Sequence, residues 1–533
     1  MKRTNLFRLI ITIPILVLIL SSCKKDYGSY DQVSGGGTTY NNSYGGSTDY
    51  SSGGNTMFYL LVDGLALDGY STSNPTSIRS SATITGLQSG ERILGIDFRP
   101  ATGQLYGVGS TSRIYVINPL TGGARMIGAA PFTPAIAGTR VGFDFNPTVD
   151  RIRLVTNTGQ NLRINPETGA VVAVDGSING QTGADIGGVA YYNNKAGATT
   201  TILYDVDVVS DKLFRQDPPN AGTLVAVGSL NVDVDGEGGF DIASYNDAMA
   251  IFKVNGKSTL LRVDLNSGSA RVEASYLKNY TGIAIGTQSV AYAASSTNNL
   301  LIFSLPSYSS GSTSYGGSSS YDKTVVTKTI TGLQSGETIL GLDMRPRNGQ
   351  LYALGSTSKI YTINASSGAA TLAASLTTPL SGLNFGFDFN PVVDRIRIVS
   401  NTGQNLRFNP NDNTLLVDGN TNPGTPSITA VAYNNNFAGT TTTMLFAIDD
   451  TNDNLYRLNP PNAGTLELVG SLGINIGASN GFDYGGTSGN AYALFNNGNT
   501  TNVYRIDTNT GKASQTGSIG SNVINGFTIG LGF

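Results

Sequence analysis

Histidine and tryptophan are both missing from this chain, and cysteine occurs once. Without histidine, neither a Ser-His-Asp nor a Cys-His nucleophile can be assembled, and histidine-ligated zinc or iron is excluded. Without tryptophan, the strongest stacking ring for cations is gone, which leaves 26 tyrosines as the main aromatic. A single cysteine in an exported chain cannot form an internal disulfide and needs another role. Charge is also scarce: Asp, Glu, Lys and Arg make up 13% of residues and no basic run occurs. Nucleic acid is therefore not an expected partner, because its electrostatic footprint is absent. Long stretches of 3.6-residue periodicity are lacking, as are nucleotide-binding loops and redox motifs. Any chemistry would fall to Asp/Glu, Tyr, Lys or a hard cation.

The N-terminus gives the lone cysteine its role. Met1-Lys2-Arg3 is a basic start, Leu6 to Leu20 is almost unbroken apolar sequence, and Leu20-Ser-Ser-Cys23 follows. Residues 1–22 read as a secretory signal, and the ending resembles the lipobox of bacterial lipoproteins. Cys23 is thus the expected lipidation site. About fifteen apolar residues are short for a bilayer span, which needs about 20, whereas several acyl chains would anchor a protein stably. Lys24 after the cysteine resembles lipoproteins sorted to the outer membrane, and the Cys-Lys-Lys-Asp start resembles surface-exposed ones. Cleavage removes Lys2, Arg3 and Arg8, taking the formal charge from −3 to −6. Residues 23–56 are rich in Gly, Ser, Thr, Asn and Tyr and too poor in aliphatic residues to fold. They read as a flexible tether, and residues 307–321 read as a low-complexity loop of similar kind.

The remainder says the same thing twice. Thr85-Gly-Leu-Gln-Ser-Gly-Glu91 returns as Thr331 to Glu337, Val149 to Pro166 returns as Val393 to Pro410, and Pro218 to Leu224 returns as Pro460 to Leu466. The copies span residues 57–288 and 289–533. Within each, short β-branched and aromatic runs alternate with Gly/Asn/Asp/Pro/Thr clusters, as strands and tight turns do. Leu94-Gly-Ile-Asp-Phe98, Gln104 to Val108, Arg113 to Asn118 and Ala124 to Ile127 form one such unit. Asn118, Asn165, Asp264 and Asp507 each open a turn closed by glycine, the pattern of hairpins. Four strands per unit of about 40–50 residues, repeated without helices, indicates an all-β propeller. About ten units are present. The chain enters a unit without its Gly-x-Asp strand and ends on a lone strand of that type, Asn525 to Phe533. Closure into two five-bladed rings, one completed by Thr281 to Gly286, is the expected architecture, with a single ten-bladed ring as the alternative.

These residues resemble an uncharacterised bacterial family of exported proteins that carry copies of a domain of unknown function. The elements that match are Ile84 to Glu91, Leu94 to Tyr106, Gly142 to Pro147, Asp150 to Arg153 and Asn161 to Arg163, with their second-copy twins. The resemblance implies an extracytoplasmic, propeller-like domain able to occur singly. It implies no activity.

Three constellations are candidates for chemistry. Asp97, Asp144, Asp241, Asp343, Asp388 and Asp483 sit in Gly-x-Asp strands that open blades, where converging carboxylates would hold a cation or polar ligand. The opposing expectation is that each accepts a hydrogen bond from the next blade. Arg151, Arg153 and Arg163, with twins Arg395, Arg397 and Arg407, suit a carboxylate or phosphate ligand. Internal pairing with Asp144, Asp150, Asp388 and Asp394 is the expected competitor. Asn231, Asp233, Asp235, Glu237 and Asp241 resemble the start of a Ca²⁺ loop, but Ile242 occupies the position of the bidentate Glu. Ca²⁺ is the one cofactor the sequence points to, and no catalytic residue stands out. The expected function is a lipid-anchored binding or interaction module for a glycan or envelope protein. A carboxylate-dependent polysaccharide hydrolase or lyase, and a structural component of an envelope complex, are the alternatives.

Overall fold

The runs with period-two alternation form strands, and among the described residues forty strands assemble into ten antiparallel sheets of four. The computed structural model describes residues 56–305 and 324–533. The signal segment 1–22, Cys23, nearly all of the tether and the 307–321 loop lie outside the described residues. Among these, the only helical turns are two short 3₁₀ segments, Pro219–Ala221 and Pro461–Ala463. The expected hairpin chemistry is present. Asn118, Asn165, Asp264 and Asp507 each accept the amide two residues on through Oδ1, and Gly122, Gly169, Gly268 and Gly511 take φ of 70–84°.

Strand pairing shows how the sheets close. Tyr280–Ile285 pairs with Met57–Val62, supplying the Gly-x-Asp-type strand that the chain's first sheet lacks. Ile524–Ile529 does the same for Ala291–Ser295. The first strands then pack side by side in two separate cycles. One cycle runs Ile93–Phe98, Val141–Asn146, Ile186–Tyr191, Asp235–Ile242 and Tyr280–Ile285, then returns to its start. The other runs Ile339–Met344, Phe385–Asn390, Ile428–Tyr433, Asn480–Tyr484 and Ile524–Ile529. The architecture is two five-membered propeller rings, not one ring of ten.

Burial follows strand order. The two inner strands of a blade are covered on both faces, so Leu105–Gly109 and Leu203–Asp207 are buried throughout. Outermost strands such as Val171–Val174 alternate between half-buried and exposed. Core clusters fill the gaps between neighbouring blades; Tyr106, Val108 and Ile114 of one blade pack on Phe143, Phe145 and Leu154 of the next.

The rings also touch through their twin Arg-Pro turns. Arg99 is fully buried; its Nε donates to Asp150 Oδ1 at 2.8 Å, and an Nη reaches Glu167 Oε1 at 2.9 Å. Its other Nη reaches across to Gly349 O at 3.3 Å, in the equivalent turn of the second ring. Tyr292 Oη donates to Ala101 O at 2.9 Å, and the Gly532 amide donates to Thr102 O at 2.8 Å. Residues 57–288 alone are expected to melt cooperatively as a monomer, but several degrees below the intact protein, because Ala101 and Arg99 lose their cover. Circular dichroism melting and size-exclusion chromatography check this; a broad, non-cooperative melt would contradict independent closure.

Candidate functional site

The six Gly-x-Asp carboxylates gather as two triads: Asp97, Asp144 and Asp241 in the first ring, and Asp343, Asp388 and Asp483 in the second. In each triad one carboxylate oxygen per residue lies within 4.8 Å of the others. The strands of Asp97 and Asp144 are neighbours, but that of Asp241 adjoins neither in the cycle. Such closeness across non-adjacent strands places the cluster at the centre of the ring. All six residues are at most 1% exposed.

Each carboxylate also ties its strand to the next. Asp97 accepts the Phe145 amide at 2.9 Å, Asp144 that of Tyr191 at 3.0 Å, and Asp241 that of Ile285 at 2.5 Å. In the second ring the amides are those of Phe389, Tyr433 and Ile529. Inner strands leave one edge of N–H groups outside their own sheet, and a buried amide must find an acceptor. The expected structural role of these aspartates is therefore present, and so is their convergence.

Convergence has an electrostatic consequence. Burial raises the pKa of all six, and neighbouring carboxylates raise it further for Asp97, Asp144, Asp343 and Asp388. Asp241 and Asp483 are pushed up to about 7, chiefly by desolvation. Three buried carboxylates without a countercharge cannot all ionise, so they retain protons. The second ring shows how. Thr528 Oγ1 lies 3.0 Å from Asp343 Oδ1 and 2.9 Å from Asp483 Oδ2, and also accepts the Met344 amide. One hydroxyl has one proton, so one of these two carboxyls must donate to it.

The arginines do not pair as expected. Asp150 and Asp394 are held by Arg99 and Arg345, and Asp144 is committed to the Tyr191 amide. Arg153 instead bonds Asp175 and Asn161, each at 2.6 Å, and Asn220 at 2.8 Å, while Arg163 forks onto the same Asp175. Arg397 and Arg407 share Asp418 in the same way. Arg151 and Arg395 reach only backbone carbonyls among these partners. Two arginines on one carboxylate leave one positive charge per ring, at half-buried Arg163 and Arg407.

The proposed Ca²⁺ loop also comes apart. Asn231, Asp233 and Asp235 are exposed, Glu237 is bound by Arg92 at 2.9 Å, and Asp241 lies in the axial triad. Asn231, with φ of 57°, and Asp233 precede the strand Asp235–Ile242, and Glu237 and Asp241 on that strand are each committed elsewhere, so the five residues do not form one site.

Two features escaped the sequence reading. Thr528 is legible only by aligning the closing strands, where its first-ring counterpart is Ala284. The other is Asp205, fully buried on strand Leu203–Asp207 with neither oxygen hydrogen-bonded, where the second ring has Ala447. Burial raises its pKa to about 8 despite the nearby Arg153.

The chain belongs to the family defined by a domain of unknown function, DUF4394, which matches residues 66–284 and 317–528. No curated protein matches. Among solved structures, one described as "The de novo evolutionary emergence of a symmetrical protein is shaped by folding constraints" is similar at 13% identity and a TM-score of 0.28. That match covers 45% of this chain and 97% of the other, and carries no argument about this protein.

Asp205 supplies a direct test. Its folded pKa lies above the unfolded value, so the native state holds a proton that the unfolded chain releases as pH rises from about 4 to 8. Its contribution is full below the unfolded pKa and is lost up to pH 8. Asp205→Ala, which copies the second ring, is expected to gain about 1–2 kcal/mol over wild type at pH 8 and little at pH 4.5. Denaturant unfolding at the two pH values checks the difference.

Proposed function

We propose that this protein is a lipoprotein of the cell envelope, anchored at Cys23 in the outer membrane, whose two rings form a binding module for an uncharged polar ligand such as a glycan. The observation that carries the binding part is a rigid exposed loop built identically in both rings. In the first, Gln160 Oε1 accepts the Ala137 amide at 2.9 Å, its Nε2 donates to Ala135 O at 2.9 Å, and Asn157 Oδ1 accepts the amides of Thr139 and Arg140. In the second, Gln404 holds Ser381 and Pro379 at the same distances, and Asn401 holds Leu383 and Asn384. A loop fixed before binding loses little entropy on contact. Two copies on one chain allow bivalent engagement.

The charges support the same reading. The axial carboxylates are buried and latch strands, and Asp175 and Asp418 each offset one of the two arginines they hold, leaving a single half-buried positive charge per ring. What these loops offer a partner is amide, hydroxyl and small apolar groups, which suit hydroxyl-rich ligands. The triads are enclosed at the ring centres, where a polymer chain cannot reach them, so polysaccharide cleavage gains no support from them.

Soluble protein from Asn55 onward is expected to co-sediment with an envelope or matrix polysaccharide fraction and leave it chemically unchanged. Gln160→Ala or Gln404→Ala alone should weaken binding several-fold, and the double variant by about 10²-fold or more through lost bivalency. Release of reducing sugars or unsaturated products would overturn the reading. Labelled palmitate should enter the wild-type protein and be absent from Cys23→Ser, as metabolic labelling would show.

A further inference from the structure

We infer that the centre of the first ring is a binding site for a hard divalent cation of the Ca²⁺ class, held by Asp97, Asp144 and Asp241, and that the second ring has lost it. The inference does not depend on the ligand proposed above.

The two triads are built alike but satisfied differently. In the second ring every oxygen of Asp343 and Asp483 has a donor, from the amides of Met344, Phe389, Tyr484 and Ile529, the Asn436 amide group and the Thr528 hydroxyl, while Asp388, like its twin Asp144, accepts one strand amide through Oδ1. In the first ring Ala284 stands in place of Thr528, and the bridging hydroxyl is gone. Asp144 Oδ2 is buried with no hydrogen-bond partner, and Asp241 Oδ1 also lacks a well-formed one. These groups belong to fully buried carboxylates clustered within 4.8 Å. An unpaired carboxylate oxygen buried beside two others is strongly unfavourable unless it is protonated or faces a cation.

Ligand chemistry narrows the occupant. All three side chains offer oxygen, and neither nitrogen nor sulfur is present, which selects Ca²⁺, Mg²⁺ or Mn²⁺ over zinc or copper. A triad charge of −3 against +2 leaves −1, where the empty site would hold protons. The other two strands of the cycle contribute Ala190 and Ala284 at this level, so no side-chain cation competes. A small cleft is lined by residues from every strand of the cycle, among them Leu94, Val141, Gly187, Gly238 and Thr281. Asp97 is three residues past Leu94, roughly 10 Å farther along the same strand. The charged groups at the cleft are two closed pairs, Arg92–Glu237 and Arg140–Asp185. Where the first ring has Gly187 and Gly238 at this end, the second has Thr429 and Asn480, whose side chains bond to each other at 2.7 Å.

The test is titration of the detergent-solubilised full chain, stripped with chelator, with Ca²⁺. Calorimetry should show one equivalent bound per chain, with proton release, weaker binding at pH 5 than at pH 8, and a melting temperature raised by roughly 2–5 °C at saturation. Asp144→Asn keeps an acceptor for the Tyr191 amide and should lower affinity at least tenfold. Ala284→Thr, which restores the second ring's hydroxyl, should do the same without removing a ligand. Asp388→Asn in the second ring should leave stoichiometry and affinity unchanged. No Ca²⁺ binding at pH 8, or binding that survives both Asp144→Asn and Ala284→Thr, would overturn the assignment. So would equal loss on Asp388→Asn.

Discussion

The hydrogen bond from an inner-strand amide to the carboxylate of the preceding blade is the constraint around which both rings are organised. An inner strand pairs with its own sheet along one edge only, and its other edge has no water to turn to. Asp97, Asp144 and Asp241 each supply an acceptor to the next strand of the cycle, as do Asp343, Asp388 and Asp483. A short carboxylate does this better than an amide or hydroxyl, because a charged or strongly polarised acceptor makes the stronger bond. Yet three such residues in a ring of five meet at the centre. The groups that hold the blades together therefore also create a buried site rich in negative charge, and protons, a hydroxyl or a cation must relieve it.

Much of this architecture was legible in the sequence because its signals are local. Alternation in Arg113 to Asn118, turn chemistry at Asn118 and Gly122, and a first sheet missing its Gly-x-Asp strand all act within a few residues. Even ring closure followed, since Tyr280–Ile285 and Ile524–Ile529 are strands of the missing type. The pairing of Arg153 was not legible. Its partner Asp175 stands beyond the end of an outer strand, while Asp144 and Asp150, nearer in sequence, are committed to an amide and to Arg99. The supposed Ca²⁺ loop failed for a related reason: the chain enters a strand at Asp235 that carries Asp241 to the ring centre and leaves Asn231 and Asp233 exposed outside it. Burial depth at Asp205 could not be read either, because Leu203-Tyr-Asp-Val-Asp207 has the polar alternation of a half-exposed strand and is covered on both faces.

The junction of the rings shows how a duplicated structure stays one body. Each ring is complete in its strand pairing, so nothing in the sheets requires a neighbour. Contact instead comes from the same turn used twice. Arg99 binds Asp150 and Glu167 inside its own ring and still has an N–H left for Gly349 in the twin turn. A guanidinium with five donors can satisfy an internal carboxylate and an external carbonyl at once. The second ring's Arg345 meets Asp394 and Asn411 instead, so the junction uses the repeated turn asymmetrically.

That asymmetry extends to the ring centres. The segments Val149 to Pro166 and Val393 to Pro410 have barely diverged, and the loops they fix are held by the same amides. The differences fall where polar groups are buried: Ala284 against Thr528, Asp205 against Ala447, Gly187 and Gly238 against Thr429 and Asn480. In the second ring Thr528 adds a hydroxyl between Asp343 and Asp483, Ala447 removes the unpaired carboxylate of Asp205, and Asn480 donates to Thr429. Asp144 Oδ2 and Asp241 Oδ1 are buried without a hydrogen-bond partner beside a third carboxylate, which packing alone does not relieve. A cation at Asp97, Asp144 and Asp241 gives those oxygens a partner, and gives the two rings different work within one fold.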